Sequence, residues 1–281
     1  MGYMLVATVL FSVMQVLVKY LDQYPFYELI FFRSIVSILI CFVSLRKMKI
    51  PVLGNNKKLL VLRGLFGTAS LCCFFYSLKH APMGSVVTIV NIKPFLILIV
   101  GYLLLKEKVS PIQIFFFLIS FLGIVMVKEF DAEMQLIPLL TTIGAAFFAA
   151  IAHTIVRMLR TTDHPLVIIF YFTVIAGPVV FPFTLMYGKL PLELIDCLLL
   201  LSIGMITHFA QYFLTKAYQS DQVSRVSYFY YLGIVFAILF GVMIFDESYS
   251  YNTIYGLVII VLGIVLNVLY TVSKKSSMVG G

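Results

Sequence analysis

The sequence predicts an all-α polytopic membrane protein with ten transmembrane helices arranged as two inverted five-helix repeats. Three observations carry that expectation: an apolar composition, charges gathered into short links, and self-similarity between the two halves. The 281 residues are 62% apolar and only 11% charged, with a mean hydropathy of +1.08. A soluble domain carries about 25% charged residues, so water is not the solvent for most of this surface. The apolar runs are about 20 residues long, enough to cross about 30 Å of hydrocarbon as helix. Their continuity excludes a membrane barrel, which needs alternating segments of about ten residues.

Taken in order, the spans fall at residues 2–21, 26–45, 59–78, 84–105 and 112–127, then 137–159, 166–187, 194–217, 223–245 and 251–272. The first lacks a basic leader and carries Gln15 and Lys19, so it reads as a membrane helix and not as a signal peptide. The links are too short for a soluble domain, which leaves any chemistry to the helices themselves. Lys and Arg crowd the links at 46–58, 106–108, 157–160, 216–225 and 274–275, and Arg63, just inside the third span, is counted with them. The opposite links hold Lys19, Lys79, Lys128 and Lys189. By the positive-inside rule both termini are then cytoplasmic, and the plasma (inner) membrane is the expected location. The net charge of +8 is therefore topological. With no basic stripe on a soluble domain, a nucleic-acid partner is excluded. Cys41, Cys72, Cys73 and Cys197 lie in or beside apolar runs without metal-ligand spacing and imply no disulfide, metal or cofactor.

An ungapped shift of 140 residues places Gly101 on Gly241, Glu107 on Glu247 and Ser110 on Ser250, and the Leu-Gly-Ile-Val of 122–125 on that of 262–265. It also aligns Pro25 with Pro165, Gly64 with Gly204 and Phe32 with Phe172. Matched Gly, Pro and Glu at one offset indicate duplication. Five spans per unit make the second unit enter from the opposite side, an arrangement found in secondary transporters. The units are 1–130 and 136–273, followed by a tail at 274–281.

The segment GYLLLKEKVS before FLGIVMV, echoed by GVMIFDESYS and VLGIVLNV, resembles the EamA-type repeat of the drug/metabolite transporter superfamily. The likeness covers essentially the whole chain. It implies a central cavity lined by the first, third, fourth, sixth, eighth and ninth spans, with the fifth and tenth peripheral. Phosphate translocators of that superfamily use cations on the fourth and ninth spans. Lys93 looks like the fourth-span member, whereas Tyr230, Tyr231 and Gly233 stand where further cations are expected, a departure that weighs against phosphate.

Lys93 is the leading substrate-binding candidate, because a lysine at mid-bilayer is costly unless it faces a cavity or a partner. Pro94 removes a backbone donor and bends the helix there, and Asn91 fits either interhelical bonding or ligand contact. Gln15, His153, His208, Gln211 and Tyr212 are polar candidates on other spans. His208, Gln211 and Tyr212 share a helix face by their spacing of three and four, and His is the side chain best placed to carry a proton. Tyr228, Tyr230 and Tyr231 fit either aromatic packing or a substrate platform. Arg33 reads as structural or as an outer gate, with Glu28 five residues before it as a strained partner. Glu107 and Glu247, paired by the repeat, hold helix ends or gates.

The expected function is a secondary transporter for a small anionic or zwitterionic metabolite, such as a carboxylate or amino acid, working by alternating access. The alternatives are an exporter of drug-like or amphipathic compounds and a non-transporting scaffold. No HExxH or other hydrolytic motif points to an enzyme. The lipid bilayer and the cargo are the expected partners, with a proton or counter-substrate for coupling, and the protein is a monomer or homodimer.

Overall fold

A computed structural model describes residues 2–105, 111–130, 135–189, 193–220 and 232–279. The elements are α1 (Gly2–Tyr20), α2 (Phe26–Lys47), α3 (Lys57–His80), α4 (Met83–Val90), α5 (Lys93–Leu105) and α6 (Pro111–Phe130). They continue with α7 (Leu136–Met158), a 3-10 turn (Leu159–Thr161), α8 (Pro165–Tyr187), α9 (Leu194–Ser220), α10 (Leu232–Phe245) and α11 (Tyr251–Val279). No strand occurs among the described residues. Six helices, α1, α2, α3, α7, α8 and α9, are long and apolar enough to cross a membrane, and shorter apolar stretches lie in α4–α5, α6, α10 and α11.

Local chemistry sets the helix starts. Pro25 and Pro82 precede α2 and α4, and Pro111 and Pro165 open α6 and α8, where the missing N–H costs nothing. Asn56 caps α3 by accepting from the Leu59 N–H at 3.3 Å. The fourth apolar run is two helices and not one. It breaks between Val90 and Lys93, where Pro94 has no N–H to donate to the Val90 carbonyl. At the other extreme α11 continues beyond the apolar run, through 274–279, as one helix.

Large apolar side chains such as Leu39, Leu103, Leu122, Leu185 and Met243 point outward. In water that would be an aggregation surface; in hydrocarbon it matches the solvent. Several hydroxyls are satisfied within their own helices. Thr8 donates to the Met4 carbonyl at 3.0 Å, Ser34 to Ile30 at 2.7 Å and Thr154 to Ala150 at 2.8 Å.

The helices pack in crossed pairs: α1 on α9, α3 on α7, α2 on α8, α4 on α10 and α6 on α11. The α6–α11 pair approaches closely at Gly123, where a Cβ would sit 2.7 Å from the Gly256 carbonyl oxygen. The other pairs surround the core, so the site lies among α1 to α5 and α7 to α10.

Candidate functional site: a cationic cavity

The core encloses a cavity of about 130 Å³. Its walls include Thr8, Ser12 and Gln15 from α1, Arg33 from α2, and Arg63, Gly67 and Ser70 from α3. Asn91 and Lys93 enter at the α4–α5 break, so the proline that divides the fourth run also sets two polar residues on the cavity. Across from them stand Ala149 and His153 of α7, Phe172 of α8, Gln211 of α9 and Gly233 of α10.

Three cations share this wall, with Arg33, Arg63 and Lys93 only 3%, 2% and 4% exposed. No Asp or Glu is among the described residues that line it. Both guanidiniums stack on one ring: the Arg33 Cζ lies 5.1 Å and the Arg63 Cζ 4.6 Å from the Phe172 centroid. A cation over an aromatic face is stabilised by about 2 kcal/mol when desolvated. That replaces only part of what water and a carboxylate would supply, since Nε and Nη1 of both arginines have no hydrogen-bond partner among the described residues. Gly67, one turn beyond Arg63, makes room for the pair. A Cβ there would meet the Arg63 Nη1 at 2.0 Å and the Phe172 ring at 3.0 Å.

Neutral acceptors complete the lining. Gln15 Oε1 and Asn91 Oδ1 are buried without partners, although the Asn91 Nδ2 donates to the Val87 carbonyl at 2.7 Å. His153 stacks on the Tyr218 ring at 4.8 Å.

Of the sequence candidates, Gln15, Asn91, Lys93, His153 and Gln211 therefore meet around one cavity. His208 does not. Its Nδ1 shares a hydrogen bond with the Ser37 hydroxyl at 2.9 Å, and the ring is buried against α2. Tyr212 also lies off the cavity, edge-on to Phe213 and 5.6 Å from the Lys216 Nζ. The expected common face of His208, Gln211 and Tyr212 is divided because α9 is wedged between α1 and α2. A spacing of three still separates side chains by about 60° around a helix, enough to send one to each neighbour. Tyr228, Tyr230, Tyr231 and Glu107 lie outside the described residues, and Pro94 occupies the first turn of α5.

Two readings of the arginines need correction. Arg33 lines the cavity wall, and Glu28 is not its partner: the Glu28 Oε2 accepts the Lys189 N–H at 2.9 Å. Arg63 is buried in the same wall and not part of the basic rim. The signal that it was different was its place inside the third span, past the Lys57–Lys58 pair.

Charges at the two ends of the bundle are, by contrast, well partnered. At one end Glu247 pairs with Lys19, accepts the Met83 N–H at 2.7 Å and receives the Tyr249 hydroxyl, tying α1, α4 and the α10–α11 link together. Nearby, the Tyr24 hydroxyl donates to the Asp196 carboxylate at 2.5 Å, and that bond, with burial and the adjacent charge, pushes Tyr24 up to about 12. At the other end the Asp163 carboxylate accepts the Asn55 N–H at 2.6 Å and the Thr162 hydroxyl at 2.7 Å.

A helical bundle with an apolar exterior, around a cavity lined in part by buried polar and cationic side chains, is the architecture of a multi-pass membrane transporter. The chain matches the EamA-like transporter family over residues 1–128 and 136–269 and belongs to it. It is 31% identical over 257 residues to the pseudopaline exporter CntI of Pseudomonas aeruginosa, covering 91% of this chain and 90% of that one. It is 25% identical over 283 residues to the S-adenosylmethionine uptake transporter of Rickettsia prowazekii, covering 98% and 93%. A crystal structure superimposes with a TM-score of 0.71 over 97% of this chain and 96% of its own at 16% identity, a likeness of fold alone. The family and these relatives carry the names of transporters, not of enzymes.

Proposed function

We propose that the protein is a secondary transporter that moves a small organic anion or zwitterion, such as a carboxylate or amino acid, by alternating access. The observation that carries this reading is the buried cavity with Arg33, Arg63 and Lys93 in its wall and no carboxylate among its described lining residues. Such a wall repels a lipophilic cation, which sets the drug-exporter alternative second.

Ten spans in two inverted units, 1–130 and 136–273, fit the packing. The 140-residue offset relates α1 to α7, α2 to α8, α3 to α9, α4–α5 to α10 and α6 to α11. Under that exchange the α1–α9 contact becomes α7–α3, and α2–α8 and α6–α11 each return to themselves; all of these contacts exist. A two-fold between inverted halves demands this pattern, and rocking about it exposes a central site to each side in turn. With both termini cytoplasmic, the Glu247 end is external and is latched here across the two units by Lys19–Glu247 and Tyr24–Asp196. The relatives include one named as an exporter and one as an uptake transporter, and coupling to a proton or a counter-substrate fits either direction.

The test is flux in proteoliposomes across a panel of labelled carboxylates and amino acids. Wild type should carry at least one of them saturably, and Lys93→Met should lower that flux at least tenfold with expression intact. Unchanged transport by Lys93→Met would overturn the anion site.

A further inference from the structure

The proposed reading requires only one negative group on the cargo; the wall itself is built for more. Arg33 and Arg63 together bring two permanent charges, since a guanidinium does not deprotonate in proteins, and both sit nine-tenths or more buried against the Phe172 ring. Neither has an acidic partner among the described residues. Among the described lining residues there is no carboxylate, and the Nε and Nη1 of each arginine have no partner. A structural arginine in a membrane protein is normally paired with an acidic side chain or capped by carbonyls. Two of them placed against one ring, with glycine at position 67 keeping the space open, form a binding device and not a packing solution. Repulsion between the two guanidiniums is relieved only when anionic oxygens enter between or beside them.

Resting on the preceding reading that this cavity is the transport site, we propose that its substrate is a compact dianion, of the dicarboxylate type, with the Arg33–Arg63 pair as its main charge-matching element. A monoanion leaves one buried arginine uncompensated, and a zwitterion adds a cation to a wall that already has a surplus. Arginine is suited to the task because its planar fork meets a carboxylate with two parallel hydrogen bonds. Lys93, on the same wall, adds further attraction for a second anionic end. The cavity of about 130 Å³ resembles in size the cavities of about 150 Å³ that hold benzene, so the cargo is a short chain of a few carbons.

Four probes of one chain length separate charge from shape: succinate, succinamate, butyrate and 4-aminobutyrate. Binding is measured by titration calorimetry on the purified full-length protein at pH 7 in low-chloride buffer, with chloride as a fifth arm. Succinate should bind at least tenfold more tightly than any of the others. Arg33→Gln and Arg63→Gln should each erase that margin, and the melting temperature of the ligand-free protein should not fall in either variant. Gly67→Ala, which keeps both charges but displaces the Arg63 guanidinium, should reduce the margin too and guards against a folding defect in the arginine variants. Succinamate or 4-aminobutyrate binding as tightly as succinate would overturn the dianion while leaving the single-anion or zwitterion transporter standing. If only chloride binds, the arginines hold an inorganic counter-ion and both readings fail. A preserved margin in both arginine variants would remove the pair from the site.

Discussion

The cavity and the Glu247 end of the bundle treat charge in opposite ways. At the end, Lys19 meets Glu247, Tyr24 meets Asp196 and the Lys79 Nζ donates to the Leu21 carbonyl at 2.7 Å. In the cavity, Arg33 and Arg63 are more deeply buried, stack on the Phe172 face and have no acid among the described lining residues. A protein selected for stability alone would reverse this, placing its pairs where desolvation is costly. Under the proposed function, the difference means that the end holds the bundle while the cavity waits for a charge from outside, with stability and function drawing on separate sets of ionic groups.

The largest effect that separates the two regions is expected from Glu247→Ala. It strips partners from Lys19, the Met83 N–H and the Tyr249 hydroxyl at once and should cost about 3 kcal/mol, as breaking a buried pair does. A clear drop in the thermal midpoint in detergent is the readout; an unchanged midpoint would mean the latch holds nothing. A smaller change of opposite sign belongs to the cavity. Arg63→Met replaces an uncompensated buried charge by an apolar chain of similar length and should stabilise the empty protein by about 1 kcal/mol while transport is lost. Destabilisation with transport retained would assign Arg63 a structural role.

The smallest effect is a pH dependence at the latched end. The Tyr24 hydroxyl is pushed up to about 12 from its ordinary value of 10.0, so its protonated, donating form is favoured in the folded state. The stability it lends is fully present below pH 10 and is lost as pH rises from there through about 12. Wild type should therefore lose more thermal stability than Tyr24→Phe across that alkaline window. Parallel pH profiles for the two proteins would show that the Asp196 bond contributes nothing.

Much of the fold was legible in the chain because hydrocarbon imposes simple rules. Apolar runs of spanning length mark helices, and the break at Pro94 follows from a missing N–H, although its consequence, two helices in place of one, appears only in the backbone. Within the site, Lys93 and Gln15 stand out because polar groups in apolar runs are costly anywhere. Arg63 did not stand out. An arginine about one turn from a span end can reach the membrane surface or turn inward, and sequence spacing does not distinguish these. The α9 residues show the same limit, since His208 and Gln211 are divided by the neighbours on either side and not by their own helix.

Composition and pattern alone thus determined that this is a helical membrane protein with its charges mostly at the rims, because transfer of polar groups into lipid penalises every alternative. What only the tertiary structure decided is which buried charges face one another. Arg33, Arg63 and Phe172 belong to three helices and are far apart in the chain, and nothing local to any of them encodes their meeting. The crossed packing of α2, α3 and α8 puts two guanidiniums on one ring. Electrostatics in a low-dielectric core then makes that meeting the most consequential feature of the molecule.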